Sequence, residues 1–257
     1  MTGLDEGGTV SPKIIQTEIS MKRQEKIYEG KAKILYTTED PDLVIQYFKD
    51  DATAFDGVKK GTIVDKGVIN NQVSSKIFQY LEANGVKTHF VEQLSDREML
   101  VRKLKIIPVE VVLRNMAAGS ICKRLGIEEG KRLDPPTLEF FYKSDELHDP
   151  MINDSHIKTF GWATDAEVAF LKSTGSKVNG LMVEFFKQRG IRLVDFKLEF
   201  GRHKGEVLLG DEISPDGCRL WNMETGEKMD KDRFRFSLGS VEEKYREVYH
   251  LVCGEGK

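Results

Sequence analysis

Between Ile191 and Phe200 apolar and charged residues alternate: Val194, Phe196, Leu198 and Phe200 fall on one face of an extended chain, Asp195, Lys197 and Glu199 on the other. This period predicts a strand with one face for a core and one face of charge. Arg202 to Gly205 reads as a turn, and Glu206 to Ile213 as the returning strand. With position 195 opposite 211 and 199 opposite 207, Asp211 joins the charged face. Asp211 and Glu212 close a strand that is otherwise apolar (Val207, Leu208, Leu209), a poor place for solvating charge unless a cation or substrate sits there. Magnesium takes one or two carboxylates with phosphate oxygens and water, and Glu199 with Asp211 supplies such a pair. Lys197, between two acids, offers a compact ammonium for a substrate carboxylate or phosphate. An ordinary surface hairpin shows the same alternation, so the pattern alone leaves both readings open.

Other polar groups gain meaning beside this hairpin. Gly30-Lys31-Ala32-Lys33 would let backbone and two lysines close over phosphates, although it is neither a Walker loop nor a GxGxxG fingerprint. Arg114 and Ser120 flank the small residues Ala117, Ala118 and Gly119, and a planar guanidinium beside a hydroxyl suits a phosphate. Arg219 follows Asp211 by eight residues and would reach the same anion. A basic surface turn and a structural arginine are the plain alternatives. Cys122, Cys218 and Cys253 form no CxxC pair and read as reduced thiols, and no histidine joins a serine or cysteine elbow in a triad.

The remaining pattern supplies a frame. Residues 26–38 read as two strands around the glycine turn, and Leu43 to Phe48 as a third. Val73, Ile77 and Leu81 recur every four residues and stop at Gly85, which predicts a helix over 70–84. Thr88 to Val91 and Ile107 to Leu113 read as strands, with Pro108 near the start of the second. Leu133 to Met151, with Pro135-Pro136 and Asp149-Pro150, reads as a crossing loop. Thr164 and Glu167 form a capping box for a helix reaching Gly190, and Ser240 with Glu243 forms another for a C-terminal helix.

At 257 residues the chain is long enough for two lobes, and 32% charged residues with a net charge of −3 give no reason to expect a nucleic-acid partner. No apolar run approaches the roughly 20 residues that span a bilayer, and no secretory signal opens the chain. A soluble cytoplasmic protein is expected, with an isologous homodimer as the default assembly. Residues 1–20 read as a flexible extension, 21–105 as a smaller nucleotide-binding lobe, and 106–257 as a larger lobe for substrate and metal.

Five segments, in order, carry a resemblance: YEGKAK, VEVVLRNMAAGS, LVDFKLEFG, LGDEISPDGCRLW and MDKDRFR. From about Gln24 onward the chain resembles the bacterial SAICAR synthetase family, the phosphoribosylaminoimidazole-succinocarboxamide synthases of purine biosynthesis. The resemblance implies a two-lobed, ATP-grasp-like α+β fold with antiparallel sheets and nucleotide between the lobes. It implies a ligase that joins L-aspartate to carboxyaminoimidazole ribonucleotide while ATP, with Mg2+, becomes ADP and phosphate, through an acyl phosphate.

Matched residue by residue, Lys31 and Lys33, with Gly30 and Ala32, would contact the ATP phosphates, and Glu199 and Asp211 the metal. Arg114, Ser120 and Arg219 would hold the ribonucleotide phosphate; Asp195 and Lys197 would lie by its imidazole and carboxylate. Adenine would rest near Leu35 and Val101 and bond to backbone around Arg102 to Leu104. Asp56 would lie beside the substrate, in a loop (DDATAFDG) where Thr53 and Phe55 are bulkier than the Ser and Gly of some relatives. A small-molecule kinase would use the same lysines and carboxylates. A nucleotide-sensing module with a purely structural hairpin is the non-catalytic alternative.

Overall fold

A computed structural model of the protein describes residues 21–54 and 57–254. The expected extension at 1–20, Phe55 and Asp56 lie outside the described residues.

Two antiparallel sheets and the helices packed on them make an α+β architecture. The first sheet has the order β1-β2-β3-β7-β6, from β1 (Lys26–Glu29), β2 (Lys33–Thr37), β3 (Leu43–Phe48), β6 (Phe90–Gln93) and β7 (Glu98–Arg102). A separate hairpin, β4 (Asp51–Ala54) and β5 (Lys59–Thr62), leads into α1 (Lys66–Ala83). Asp65 precedes α1 in a left-handed conformation and its side chain makes no cap. Instead the Asp50 carboxylate accepts from the Gly67 N–H at 2.8 Å and is itself gripped by both terminal nitrogens of Arg97. Val73, Ile77 and Leu81 are fully buried on α1, as their spacing predicts.

The second sheet has the order β10-β9-β8-β11-β12, with β13 also on β11. Its strands are β8 (Lys105–Met116), β9 (Arg132–Tyr142), β10 (Met151–Ile152), β11 (Ile191–His203), β12 (Glu206–Gly210) and β13 (Cys218–Asn222). Between them lie α2 (Ser120–Leu125), α3 (Asp154–Thr159) and α4 (Asp165–Lys187); α5 (Asp232–Arg235) and α6 (Val241–Cys253) follow. β11 pairs with β8 along one edge; along the other it pairs with β13 through its first half and β12 through its second. α4 packs on β11 and β8, while α6 packs back on α1, so the C-terminal helix joins the first sheet's layer. The sheets meet where the His89 N–H donates to Leu209 O and the Leu209 N–H to Lys87 O. One hydrophobic core runs through both.

Several sequence expectations change here. The region taken for a crossing loop contains β9, paired with β8 from Val109↔Tyr142 to Arg114↔Thr137. Pro135 and Pro136 lie in the register break between Arg132 and Thr137, where no ladder N–H is required of them. Pro108 likewise sits inside β8, where pairing to β11 shifts between Glu110 and Ile106. The hairpin register is not 195 with 211. Lys204 (φ 47°) and Gly205 (φ 85°) make a two-residue turn that sets His203 opposite Glu206 and therefore Glu199 opposite Gly210. Val194 leaves the face of Phe196 and Leu198, because β11 bulges between Leu193 and Asp195; it packs instead with Ala118 and Trp221. Ser240 has φ 48° and makes no side-chain cap, so the second capping box is absent, although Tyr245, Val248 and Val252 face inward as expected. Gly175, in the middle of α4, lies against Val111, Leu113 and Leu138 of the sheet.

The first capping box is present: Glu167 N–H donates to the Thr164 hydroxyl and Thr164 N–H to the Glu167 carboxylate. That carboxylate also accepts from Arg202 at 2.5 and 2.9 Å, tying the start of α4 to the end of β11. Arg202 foremost, and Thr164 after partial burial has opposed it, lower the Glu167 carboxyl to about 2. An unfolded glutamate ionises near ~4.3, so this contribution to stability is complete above that pH and is lost as pH falls through about 2. Glu167→Gln should lower Tm at pH 7 by roughly 2–4 °C. In thermal melts followed by circular dichroism, the gap from the unaltered protein should close between pH 4.5 and pH 2.

Candidate active site

A cleft of about 1040 Å3 opens between the glycine turn joining β1 to β2 and the floor made by β11 and the end of β12. Gly30, Lys31, Ala32, Lys33, Leu35, Val101, Arg102 and Leu104 all line it, as do Lys197, Glu199 and Asp211. One wall is apolar, from Leu35, Val44, Val101, Leu104 and Ile106. The floor is charged. No helix of the described residues is long and apolar enough to cross a membrane.

Asp211 reaches the floor by a backbone device that alternation does not reveal. Opposite Leu198 it would share that residue's buried apolar face if β12 continued. Its φ of 63° turns the chain out of the sheet at the gap between β12 and β13, and the side chain meets Lys33 instead. Asp adopts this left-handed conformation more readily than most residues. The Lys197 N–H donates to Gly217 O across the same gap, so segment 211–217 arches over the middle of β11.

Three lysines neutralise the floor. Lys33 bonds to Asp211 and lies 3.6 Å from Glu212. Lys197 bonds to Glu110 at 2.6 Å and Glu199 at 2.7 Å, and Lys143 reaches the same Glu199 oxygen at 2.8 Å. Burial would lower the Lys197 pKa, yet Glu199 and Glu110 reverse this and hold it well above the usual lysine range. Burial would raise Asp211, and Lys33 and Lys197 reverse that, keeping it ionised far below the usual carboxylate range. At Glu110 burial wins over Lys197, and the carboxyl is raised. Among the described residues no three metal-ligating side chains cluster. Glu199 and Asp211 as a pair suit a hard divalent cation that brings phosphate and water as its other ligands.

Arg114, Ser120, Arg219 and Asp195 do come together, in a second group outside the cleft lining, about 7 Å along β11 from Lys197. Asp195 accepts from Arg114 at 2.6 Å and from Arg219 at 2.9 Å; Arg114 also bonds Glu139 and the Ser120 hydroxyl. Arg219 lies over Gly119, where any Cβ would meet its guanidinium at 2.5 Å. Asp232 on α5 joins Arg219 to Arg235, extending the row to a third arginine. Glu110, Lys143 and Arg235 are site residues that the sequence reading missed. Glu110 had a signal, a charge in an apolar strand four residues before Arg114; Lys143 had none, lying in apparent loop.

A two-sheet α+β fold, with a glycine turn over a lysine-carboxylate floor, describes a protein built to hold a phosphorylated ligand. The SAICAR synthetase family model matches residues 26–252. The phosphoribosylaminoimidazole-succinocarboxamide synthase of Pelodictyon phaeoclathratiforme is 60% identical over 232 residues, which are 90% of this chain and 98% of that protein. The crystal structure of the synthase from Ehrlichia chaffeensis superposes with a TM-score of 0.88 at 48% identity, covering 91% of this chain and all (100%) of that one. A SAICAR synthetase in complex with ADP gives 0.86 at 47% identity, covering 90% and 98%. The chain belongs to the SAICAR synthetase family.

Arg114→Met would leave Asp195 and Glu139 each short of a buried cation. The expected cost is about 3 kcal/mol, read as a lower urea midpoint. An unchanged midpoint would show that the network does not brace the fold.

Proposed function

We propose that this protein is an ATP-dependent ligase that joins L-aspartate to carboxyaminoimidazole ribonucleotide, giving SAICAR, ADP and phosphate in purine biosynthesis, and that it works through an acyl phosphate. The observation that carries this reading is the lysine-carboxylate floor under the glycine turn, in a chain whose relatives match it almost end to end. Residues 21–105 serve as the nucleotide lobe and 106–257 as the substrate- and metal-binding lobe, whose C-terminal helix packs back on α1.

Adenine lies on the apolar wall at Leu35 and Val101. The N–H groups of Arg102 and Lys103 already donate to His89 O and Asp42 O, which leaves the Leu104 N–H to meet the base. Lys31 and Lys33 take the phosphates. Glu199 and Asp211 hold Mg2+, which when bound offsets charge on the phosphoryl oxygens. Arg114, Ser120 and Arg219 hold the ribonucleotide phosphate, placing its base and carboxylate toward Asp195 and Lys197. A carboxylate oxygen attacks the γ-phosphorus and ADP leaves. The amine of aspartate then attacks the acyl carbon, loses a proton, and phosphate departs as the amide forms. Closure between the lobes would keep water from the acyl phosphate, which it would otherwise hydrolyse.

Coupled assays of ADP release test the reaction: release should require both aspartate and the carboxylated ribonucleotide. Steady ADP release without aspartate, with a stable phosphorylated product, would instead make the protein a kinase. Glu199→Gln and Asp211→Asn should each lower kcat by about 100-fold or more. Near-normal turnover in both would remove the metal from the mechanism.

A further inference from the structure

Lys143 has no role in the assignments above, yet it occupies the centre of the floor. Its backbone N–H donates to Pro108 O at 3.1 Å, anchoring the end of β9 to β8. Its Nζ lies 2.8 Å from Glu199 Oε1, the oxygen that Lys197 Nζ reaches at 2.7 Å. Two lysines thus meet on one carboxylate oxygen, and Lys197 divides its charge between Glu199 and Glu110. They are not equivalent. Lys197 is also held by Glu110, whereas Glu199 is the partner the structure gives Lys143. The Lys143 side chain is the most exposed of the three floor lysines, at 41% against 32% for Lys197 and 14% for Lys33. Two residues on, Asp145 bonds Lys31 of the glycine turn at 2.7 Å. The 143–145 segment therefore touches both ends of the path that a nucleotide's phosphates would follow between the glycine turn and Glu199.

We propose that Lys143 is a phosphoryl-binding residue that exchanges partners: it holds Glu199 while the cleft is empty and passes to the oxygens of the transferred phosphoryl group once a divalent cation takes that carboxylate. An ammonium and a metal ion compete for the same oxygen, and the flexible four-carbon stem lets the displaced charge find the anion that arrives with the metal. Lys197, fixed from two sides, stays in place. The inference rests on the reading of Glu199 and Asp211 as the metal carboxylates.

The competition is measurable without turnover, by electron paramagnetic resonance of Mn2+ binding to the full chain with no nucleotide or substrate. Removing the competitor in Lys143→Met should tighten Mn2+ binding roughly threefold and lower kcat about 100-fold. Lys143→Arg, which keeps the charge, should bind Mn2+ like the unaltered protein and recover at least about a tenth of its kcat. Weaker or equal Mn2+ binding in Lys143→Met, or a kcat within about threefold of normal, would overturn the exchange. Failure of the metal site is separable: Glu199→Gln with unaltered Mn2+ affinity would show that Glu199 is no ligand, whatever Lys143 does.

Discussion

Charge buried on β11 must find partners, and that requirement organises both the second sheet and the cleft. Asp195 and Glu199 are 3% and 4% exposed on a strand whose other face is core. An unpaired carboxylate there would cost several kcal/mol, so each neighbouring element contributes a counter-charge. β8 brings Arg114 to Asp195 and Glu110 to Lys197; β13 brings Arg219; the chain after β9 brings Lys143. The pairing of strands and the pairing of charges thus fix the same register. A one-residue slip of β8 against β11 would turn Arg114 and Glu110 toward the core and leave Asp195 and Lys197 without them.

Much of this was legible because the period of two survives along β11. The helices were legible for a similar reason: Val73, Ile77 and Leu81 repeat on α1, and the Thr164-Glu167 box marks the start of α4. Readings failed where one residue overrides the pattern. Val194 changes face at a bulge, Asp211 at a left-handed backbone, and the hairpin register at a two-residue turn where four had been allowed. β9 was hidden because prolines normally interrupt ladders, and here they sit in a break already present. Each is a backbone event with no period to detect.

The candidate site was legible in parts, but its assembly was not. Every predicted nucleotide residue lines one cleft, whereas Arg114, Ser120, Asp195 and Arg219 gather in a separate group further along the strand. Side-chain type suggested an anion for each group. Only the alternation of Asp195, Lys197 and Glu199 hinted that one strand carries both, and strand geometry sets their spacing at about 7 Å per pair of residues. The substrate roles of particular residues came from resemblance, since a lysine beside two carboxylates specifies an anion and a metal without specifying a purine precursor.

A cleft neutralised by its own side chains has a consequence for binding. Lys33 on Asp211, and Lys143 and Lys197 on Glu199, keep the empty floor from holding bare carboxylates. A nucleotide without a cation would draw Lys33 and Lys143 away and leave Asp211 and Glu199 short of counter-charge; a cation without a nucleotide would strand those two lysines. On the proposed reading, metal and phosphates arriving together would replace the contacts they break, carboxylate to metal and ammonium to phosphate. A floor of this kind would couple the two ligands through shared counter-charges, and the coupling would be reciprocal because each relieves the charge the other leaves unpaired.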